Sequence, residues 1–226
     1  MPGAEGPARL VAVEGIDGSG KTTVARRLVR ALEDSGDDAV LVSRETVADG
    51  LDDYRASHLR AIRGLIWDYP HEARTSELGF PHWRHLLAAW FAAVDHAVVE
   101  PALERGAYVV ADSWYFKFVA RFAVAVELPQ ALDAFAEISE PDLVLWLDTP
   151  PEVCLRRRPE LRSTESGEWT GEGDGAEGFL AYQSAVRGTY RRLARARSWR
   201  VVASTDGSDL AVDSVLEALV PERVAS

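Results

Sequence analysis

Residues 15–22 (GIDGSGKT) constrain the fold of this chain more than any other segment. They match the pattern G-x-x-x-x-G-K-[ST], which forms a phosphate-binding loop when a buried strand precedes it and a helix follows it. Both conditions are met, because residues 9–14 (RLVAVE) have the apolar composition of a short strand and residues 21–35 have helical spacing. In such a loop, glycines let backbone N–H groups turn toward phosphate oxygens, and the helix N-terminus adds partial positive charge. We therefore predict a P-loop at the end of the first strand of an α/β fold.

Apolar strand-like runs alternate with helical segments along the rest of the chain. Further strands are predicted at residues 39–43, 107–111, 143–147 and 200–203. Helical spacing occurs in residues 51–67, 82–105, 114–126, 130–139, 152–158, 179–198 and 209–219. Near-continuous apolar strands separated by helices are typical of a parallel sheet that is covered on both faces. The predicted fold class is α/β, a P-loop NTPase fold with a five-stranded parallel sheet, helices on both faces and a lid segment.

The predicted lid is the stretch of residues 159–178. It is polar, rich in Gly, Glu, Ser and Thr, and follows neither the strand nor the helix pattern. A long segment of this kind inside a compact domain is typical of a lid or a disordered loop, and we interpret it as a lid. The whole chain, residues 1–226, has the length of a single domain, in which we expect residues 1–8 to be flexible.

The composition narrows the class of partner and the cellular setting. A net charge of −11 argues against a nucleic-acid polymer, because contacts between cationic side chains and phosphates supply most of that affinity. Cys154 is the only cysteine, which fits a reduced, cytoplasmic setting. The first residues lack the apolar run of a signal peptide, and no run approaches 18 consecutive apolar residues, so we expect no membrane segment. A small anionic molecule is still a suitable partner, since a pocket can be basic within an acidic protein.

The P-loop indicates which residues bind a nucleotide. Lys21 is expected to reach the β- and γ-phosphates of ATP, and the Thr22 hydroxyl is expected to coordinate Mg²⁺. The candidate nucleotide-binding residues are Gly15, Asp17, Gly18, Ser19, Gly20, Lys21, Thr22 and Thr23. The chain has no N-K-x-D guanine-recognition motif, which argues against a GTPase. We therefore predict an ATP-dependent kinase that acts on a small-molecule phosphate acceptor.

Residues 11–23 (VAVEGIDGSGKTT) resemble the opening of thymidylate kinases nearly letter for letter. Residues 100–106 (EPALERG), 109–112 (VVAD) and 141–148 (PDLVLWLD) resemble later segments of that family more weakly. The resemblance implies the fold of a nucleoside monophosphate kinase, ATP as the phosphoryl donor, Mg²⁺ and a homodimer.

The resemblance also implies roles for individual residues. Asp17 would face the sugar of the acceptor, and Thr205, in the turn STDG, would lie near the adenine. Because the P-loop contains no arginine, the catalytic arginines would come from the lid region, where we favour Arg157 and Arg162.

Several departures from the family pattern fall on the acceptor side. Residues 112–114 (DSW) replace the family's D-R-Y/H, which removes an arginine that grips phosphate. Residues 91–92 (FA) stand where the family has an arginine for the thymine base. The family's P-G-G is replaced by residues 46–48 (TVA), and the lid is acidic rather than basic. We expect transfer of the ATP γ-phosphate to a nucleoside monophosphate or nucleotide-like acceptor, with dTMP a poor substrate; the alternatives are a kinase of a nucleoside or other small alcohol, or a nucleotide-binding module without catalysis.

Four side chains near the predicted metal and acceptor sites have two interpretations each. Asp112 and Asp148 both end a strand and are candidates for holding the water shell of Mg²⁺, with Asp112 favoured, although an aspartate there also suits a helix cap. Lys117 is a candidate for gripping an anionic acceptor in place of the missing arginine, or else a solvated helix lysine. Glu45 is a candidate base for an alcohol acceptor, or else the partner of Arg44 in an ion pair.

Three tryptophans belong to the same region. Trp83 and Trp90 are seven residues apart and therefore share a helix face, which is typical of a core or dimer interface and also suits a base-stacking platform. Trp114 is a candidate acceptor-binding residue, because it follows the strand-ending Asp112 and Ser113.

Overall fold

The protein contains one parallel five-stranded sheet. The structure, a computed structural model, describes residues 9–70, 73–158, 160–168 and 175–203, together with 212, 213 and 216. The strands are β1 (Leu10–Glu14), β2 (Ala39–Val42), β3 (Tyr108–Asp112), β4 (Leu143–Asp148) and β5 (Arg200–Ala203). They lie in the order β2-β3-β1-β4-β5, and each neighbouring pair is parallel. The predicted sheet is confirmed, as are its strand positions to within about a residue.

The helices follow the predicted order with changes at their ends. They are α1 (Lys21–Asp34), α2 (Asp53–Trp67), α3 (Gly79–Val94), α4 (Glu100–Glu104), α5 (Phe116–Phe122), α6 (Leu128–Asp133), α7 (Pro151–Arg156) and α8 (Gly175–Ala196). A 3₁₀ turn, Thr75–Leu78, precedes α3, and a π-helical turn, Asp95–Val99, joins α3 to α4. The single helix expected over residues 82–105 is therefore longer and is interrupted by one wide turn.

The lid prediction needs a partial correction. Residues 160–168 are an irregular segment with one 3₁₀ turn, Ser163–Glu165, but residues 175–178 already belong to α8. The helix starts early because Gly178 and Phe179 are buried against the rest of the chain, while the acidic Glu177 suits the first turn of a helix. The predictions for residues 1–8, for Thr205 and for most of residues 209–219 lie outside the described residues.

Each face of the sheet carries its own hydrophobic core, because successive strand residues point to opposite faces. Leu10 and Ala12 of β1 belong to a large core shared with α2, α3, α5 and α8. Val11 and Val13 of the same strand belong to a smaller core built largely with α1. Helices on both faces of the sheet are thereby confirmed.

The sheet brings the predicted site residues to one edge. In parallel strands the carboxyl ends meet at the same edge, and ligands bind where the strand order reverses. Here β1 lies between β3 and β4, and Val13 is in register with Asp112. The P-loop after β1, Asp112 at the end of β3 and Asp148 at the end of β4 therefore surround one crevice.

One described helical stretch, Thr75–Glu104, is long and apolar enough to cross a membrane by length and composition alone. Core helices of globular proteins meet the same criterion. This stretch buries Trp83, Leu87 and Phe91 in the large core, and 39% of its most apolar window is buried.

Candidate active site

The P-loop has a backbone that only glycine adopts easily at two central positions. Gly18 and Gly20 have φ angles of 86° and 99°, in the left-handed region. A Cβ atom on Gly18 would also lie 3.0 Å from the carbonyl oxygen of Cys154, so a side chain has no room there. The Ser19 hydroxyl is buried and has no hydrogen-bond partner among the described groups. The Ser19 hydroxyl could therefore donate a hydrogen bond to an anionic ligand in the loop.

Lys21 begins α1 and turns its side chain back into the loop. Its ammonium group donates hydrogen bonds of 2.9 Å to the carbonyl oxygens of Gly15 and Ile16. Burial, and the nearby charge of Lys117, lower the pKa of Lys21, although nearby carboxylates offset part of this effect. The lowered pKa means that the charged form of Lys21 would be stabilised by additional negative charge nearby. The phosphates of a nucleotide would supply that charge.

Thr22 and Asp112 meet across the crevice. The Thr22 hydroxyl donates a hydrogen bond of 2.7 Å to Asp112 Oδ2. Asp148 instead pairs with Arg187 at 2.5 Å and lies 3.9 Å from Arg191. The geometry therefore favours Asp112 over Asp148 as the carboxylate beside a metal-bound nucleotide.

The donors at this position fit Mg²⁺ with phosphate ligands. A hydroxyl and a carboxylate oxygen are the hard ligands that Mg²⁺ prefers, and this ion usually takes its remaining ligands from phosphates and water. Within the described residues, no group of three or more His, Cys, Asp or Glu side chains is arranged to hold a metal. The protein's own contribution there would be Thr22 and Asp112.

A buried ionic cluster adjoins the P-loop on the acceptor side. Asp17 binds Lys117 at 2.8 Å and Arg121 at 3.2 Å, and we call these three residues the Asp17 cluster. Burial alone would raise the pKa of Asp17, but the charges of Lys117, Arg121 and Lys21 outweigh it, so that pKa lies well below its usual range. The interpretation of Lys117 as a solvated lysine is wrong, since its side chain is only 22% exposed and is paired.

Glu14, the last residue of β1, is a fully buried carboxylate beneath the loop. It accepts hydrogen bonds from the Trp114 backbone N–H at 2.8 Å, the Tyr190 hydroxyl at 2.8 Å and the Ser113 hydroxyl at 3.3 Å. Burial raises the pKa of Glu14 to about 7, although these hydrogen bonds and nearby lysines lower it in part. Glu14 thus ties the start of the P-loop to β3 and α8.

The first half of the lid is docked onto the P-loop side of the crevice. Arg121 donates a hydrogen bond of 2.7 Å to the carbonyl of Thr164. Gln183 of α8 donates to the carbonyl of Glu165 at 2.9 Å and accepts from the Asp17 backbone N–H at 3.4 Å. Two side chains therefore connect the lid to the phosphate-binding loop.

Glu168 fastens the same segment to the opposite wall. Its carboxylate accepts hydrogen bonds from the Thr75 hydroxyl at 3.1 Å, from the Ser76 N–H and hydroxyl at 2.8 Å each, and from the Ser163 hydroxyl at 3.0 Å. The carbonyl of Thr75 in turn accepts the indole N–H of Trp83 at 2.6 Å. The lid therefore spans the crevice from the P-loop to the start of α3.

A single cavity of about 840 Å³ runs beneath this lid. Lys21 and Thr22 of the P-loop line it together with aromatic side chains. All the predicted acceptor-side and lid residues also line this cavity, namely Asp17, Glu45, Asp112, Trp114, Lys117, Arg157 and Arg162. Eight Lys or Arg and five Asp or Glu side chains line it, a net charge of +3 in a chain whose total is −11. The lining is thus locally basic, as the sequence prediction of a small anionic partner requires.

Comparisons with known proteins give the family of the chain. A family model described as an AAA domain matches residues 10–167. A thymidylate kinase from Dinoroseobacter shibae is 34% identical over 203 residues, which cover 87% of each chain. A second thymidylate kinase, from a Synechococcus species, is 33% identical over 229 aligned residues, which cover 96% of this chain and 99% of the relative. The chain belongs to the thymidylate kinase family. With its P-loop and parallel sheet, it is an ATP-dependent nucleotide kinase.

Two departures from the thymidylate kinase pattern have clear structural consequences. Ser113 has a φ of 71° and turns its hydroxyl toward Glu14, so it brings no positive charge to the cavity. Phe91 is buried and packs edge-to-face against Trp114, with ring centroids 5.2 Å apart. A buried ring thus occupies the position at which the sequence resemblance implied an arginine for the base.

Other predicted residues have partners that limit their roles. Glu45 forms an ion pair of 2.6 Å with Arg44, which lowers the pKa of Glu45 against the opposing effect of burial. Arg162 donates to the Trp67 carbonyl at 3.4 Å and lies 5.8 Å from the Tyr69 ring centroid. Trp114 is fully buried, and its indole N–H donates to the Ser139 carbonyl. All three line the cavity. Each of them, however, already uses part of its hydrogen-bonding or charged group in a contact within the protein.

Sequence reasoning missed Glu14, Arg121, Glu168 and Gln183. Two signals were available. Arg121 lies four residues after Lys117 and therefore on the same helix face, and Glu14 is a charged residue that closes an otherwise apolar strand. No local pattern marks Glu168 or Gln183, because their partners are distant in the chain.

Proposed function

We propose that this protein transfers the γ-phosphoryl group of ATP to a nucleoside monophosphate or a similar nucleotide-like acceptor, in the cytoplasm and as a homodimer. The observation that carries the proposal is the shared cavity. Lys21 and Thr22 line the end where ATP phosphates would bind, and Lys117 and Arg121 line the acceptor side. Phosphoryl transfer depends mainly on bringing two anions together and stabilising their charge, and this arrangement provides cations on both sides.

Each residue has a defined role in this proposal. The P-loop N–H groups and Lys21 hold the β- and γ-phosphates, and Thr22 and Asp112 hold Mg²⁺, which would neutralise charge on the phosphates. Arg157, on the lid side of the cavity, stabilises the transferring group together with Arg162 once the latter leaves the Trp67 carbonyl. Asp17 neutralises one of its two cationic partners, which leaves one net positive charge for the acceptor.

The acceptor we propose differs from that of the relatives, which are named thymidylate kinases. Ser113 offers at most one neutral hydrogen bond, about half as strong as a charge-assisted one. Lys117 and Arg121 supply the cationic groups instead, from α5 rather than from the end of β3. We therefore expect dTMP to be a poor substrate.

The test is ADP formation from ATP with Mg²⁺ against a panel of nucleoside monophosphates, nucleosides and no acceptor. Stimulation by at least one monophosphate, stronger than by any nucleoside, is the expected result. A kcat/KM for dTMP of about 10⁴ M⁻¹s⁻¹ or more, above that of every other acceptor, would contradict the proposed acceptor class. Absence of ADP formation with every acceptor would contradict the kinase proposal itself.

A specific observation supports a second candidate, the phosphorylation of a bare hydroxyl. Both acceptor-side cations are already paired with Asp17, and the carboxylate of Glu45 lines the same cavity, where it could accept a hydroxyl proton. In the panel above, this candidate predicts turnover of nucleosides in preference to their monophosphates.

A further inference from the structure

Arg121 of α5 connects three parts of the molecule at one point. Its Nη2 atom lies 2.7 Å from the Thr164 carbonyl oxygen of the lid and 3.2 Å from Asp17 Oδ2 of the P-loop. Its guanidinium group also donates a hydrogen bond to the hydroxyl of Tyr182 in α8, a residue that is only 2% exposed. One side chain thus holds the lid, the P-loop and α8 against one another.

The negative charge of Asp17 keeps the guanidinium group in this place. The side chain of Arg121 is largely buried, and burial of a charge is costly unless the charge is paired. Burial alone would lower the pKa of Arg121, but Asp17 and other acidic groups outweigh this effect and raise that pKa. Asp17 therefore holds a charged hydrogen-bond donor directly beneath the Thr164 carbonyl.

Lys117, the other cation of the Asp17 cluster, makes different contacts. Its ammonium group meets Asp17 Oδ1 at 2.8 Å, and it has no partner in the described part of the lid. An ammonium group carries three donors, so Lys117 can bind an anionic acceptor while it keeps its contact to Asp17. The two cations of the cluster are therefore suited to different tasks.

The part of the lid that Arg121 contacts covers the phosphate-binding end of the cavity. Thr164 and Glu165 line the same cavity as Lys21. Water that enters there can replace the acceptor: its oxygen bonds to the γ-phosphorus, the bond to the β–γ bridging oxygen breaks, and ADP, phosphate and a proton are released. Closed lids suppress this side reaction by excluding water. A lid that is held less tightly should let a larger share of ATP react with water.

We infer that Arg121 is a positioning residue, which holds the lid over the P-loop and thereby directs the phosphoryl group to the acceptor rather than to water. The inference rests on the proposed function, because it requires the phosphates of ATP at the P-loop. It also divides the work of the Asp17 cluster: Arg121 acts through the lid, and Lys117 is the cation that binds the acceptor.

The experiment compares Arg121→Lys and Arg121→Met with the wild type. Lysine keeps the charge beside Asp17, but its nitrogen ends one bond short of the arginine Nη2 and so withdraws from the Thr164 carbonyl; methionine removes the charge and the donors. ADP formation from ATP and Mg²⁺ is measured without an acceptor and with the best acceptor among AMP, CMP, GMP, UMP and dTMP. We expect the ratio of hydrolysis to transfer to rise about tenfold in both variants, since one charge-assisted hydrogen bond is worth about this factor.

The matched control is Arg30→Met, which removes an exposed arginine of α1 outside the cavity and should keep the wild-type ratio. If Arg121 served instead as a cation for the acceptor, Arg121→Lys would keep the wild-type ratio, and Arg121→Met would raise only the KM for the acceptor. A wild-type ratio in folded Arg121→Lys would therefore overturn the inference. Thermal unfolding establishes that each variant folds, and Arg121→Lys decides the matter if Arg121→Met does not.

Hydrogen exchange separates this inference from the proposed function. The N–H groups of Glu165 and Ser166 donate to carbonyls within the lid at 2.9 and 3.0 Å, so their exchange reports on the order of this segment. We expect residues 160–168 to exchange about tenfold faster in both Arg121 variants than in the wild type, without any ligand. If the wild type phosphorylates no monophosphate, the proposed function fails. Faster exchange in the variants would then still support the link between Arg121 and the lid, and unchanged exchange would overturn it.

Discussion

At the scale of single residues, the two lysines of this chain line one cavity and contact different residues of the P-loop. Lys21 contacts P-loop carbonyls and Lys117 contacts Asp17. We predict that Lys21→Met lowers kcat by about 100-fold or more, because a donor that stabilises transferring charge is worth this much. Lys117→Met should instead raise the KM for the acceptor and leave the Kd for ATP unchanged.

Steady-state kinetics and ATP titration on both variants check this pair of predictions. Each substitution keeps most of the length of the side chain and removes the same charge and hydrogen-bond donors, so the two serve as controls for each other. A Lys21→Met protein with even a tenth of the wild-type turnover would contradict the P-loop assignment. Equal effects of Lys117→Met on ATP and acceptor would contradict its place on the acceptor side.

Glu14 leads to a prediction about stability and pH. Its pKa is raised from 4.5 to about 7 in the folded protein, mainly by burial. The stability linked to this group is therefore fully present below pH 4.5 and is lost as the pH rises through about 7. Asp17 has a lowered pKa, so its own contribution is lost only at lower pH, outside this window.

We expect Glu14→Gln to remove most of this pH dependence. Each pKa unit corresponds to about 1.4 kcal/mol, so the free energy of unfolding of the wild type should fall relative to that of the variant as the pH rises from 5 to 7.5. Urea unfolding at several pH values measures this difference, in which the contributions of groups common to both proteins cancel. Parallel pH profiles for the two proteins would show that Glu14 does not titrate in this range.

A site residue could be predicted when its role depends on neighbouring residues in the sequence, and not when it depends on partners from distant elements. Lys21 and Thr22 belong to a motif with fixed spacing, and Asp112 closes an apolar strand, so the pattern alone placed them together. Arg121 and Glu14 depend on partners from other elements, Asp17 and Tyr190. Their surroundings exist only once the sheet and α8 have assembled, and a helix arginine or a strand-end glutamate has several ordinary interpretations beforehand.

At the scale of elements, the lid joins the two sides of the cavity. Composition predicted the irregular segment, but the early start of α8 depends on Phe179 reaching the core, which no local pattern states. The Glu168 contacts to Thr75 and Ser76 cross more than 90 residues of sequence, so they too were beyond sequence reasoning.

We predict that Glu168→Gln loosens the lid on the acceptor side. The amide keeps the shape but weakens several charge-assisted hydrogen bonds, each worth about 1.5–3 kcal/mol at most. The expected result is a KM for the acceptor about three- to tenfold higher, with the Kd for ATP unchanged. Hydrogen exchange of residues 160–168 should also become faster in the ligand-free variant.

The control is Glu177→Gln, which removes an exposed carboxylate from the first turn of α8. It should leave the acceptor KM and the exchange of residues 160–168 at wild-type values. If Glu168→Gln behaves like this control, the carboxylate does not hold the lid, which then depends on its other contacts, such as those of Arg121 and Gln183.

At the scale of the whole molecule, the strand order explains why distant segments meet. With β1 between β3 and β4, the P-loop, Asp112 and the start of α7 necessarily share one edge of the sheet. Alternating strands and helices predict such a sheet, since a parallel pair needs a helical crossover between its strands. The hydrophobic α3 side chains that line the cavity were less predictable, because hydrophobic residues at helical spacing are equally suited to a core, a cavity or an interface.

The exposed surface of α3 leads to a prediction about assembly. Ala89 and Ala92 are exposed on this helix, between the exposed His85 and His96. Small side chains on a helix surface let a second helix approach closely, since the distance between packed helices depends on the side chains at the contact. For the proposed homodimer we expect sedimentation at twice the chain mass of 24.8 kDa.

Ala92→Glu tests whether this face is the one that pairs. In a symmetric dimer the same surface of each subunit meets, so a single substitution places two carboxylates at the interface and should shift the protein to the monomer mass. Ala196→Glu, which adds the same charge at an exposed position near the end of α8, should stay dimeric. Sedimentation equilibrium on the three proteins decides among the outcomes. A wild type that sediments at 24.8 kDa would contradict the dimer, and a dimeric Ala92→Glu would place the contact elsewhere on the surface.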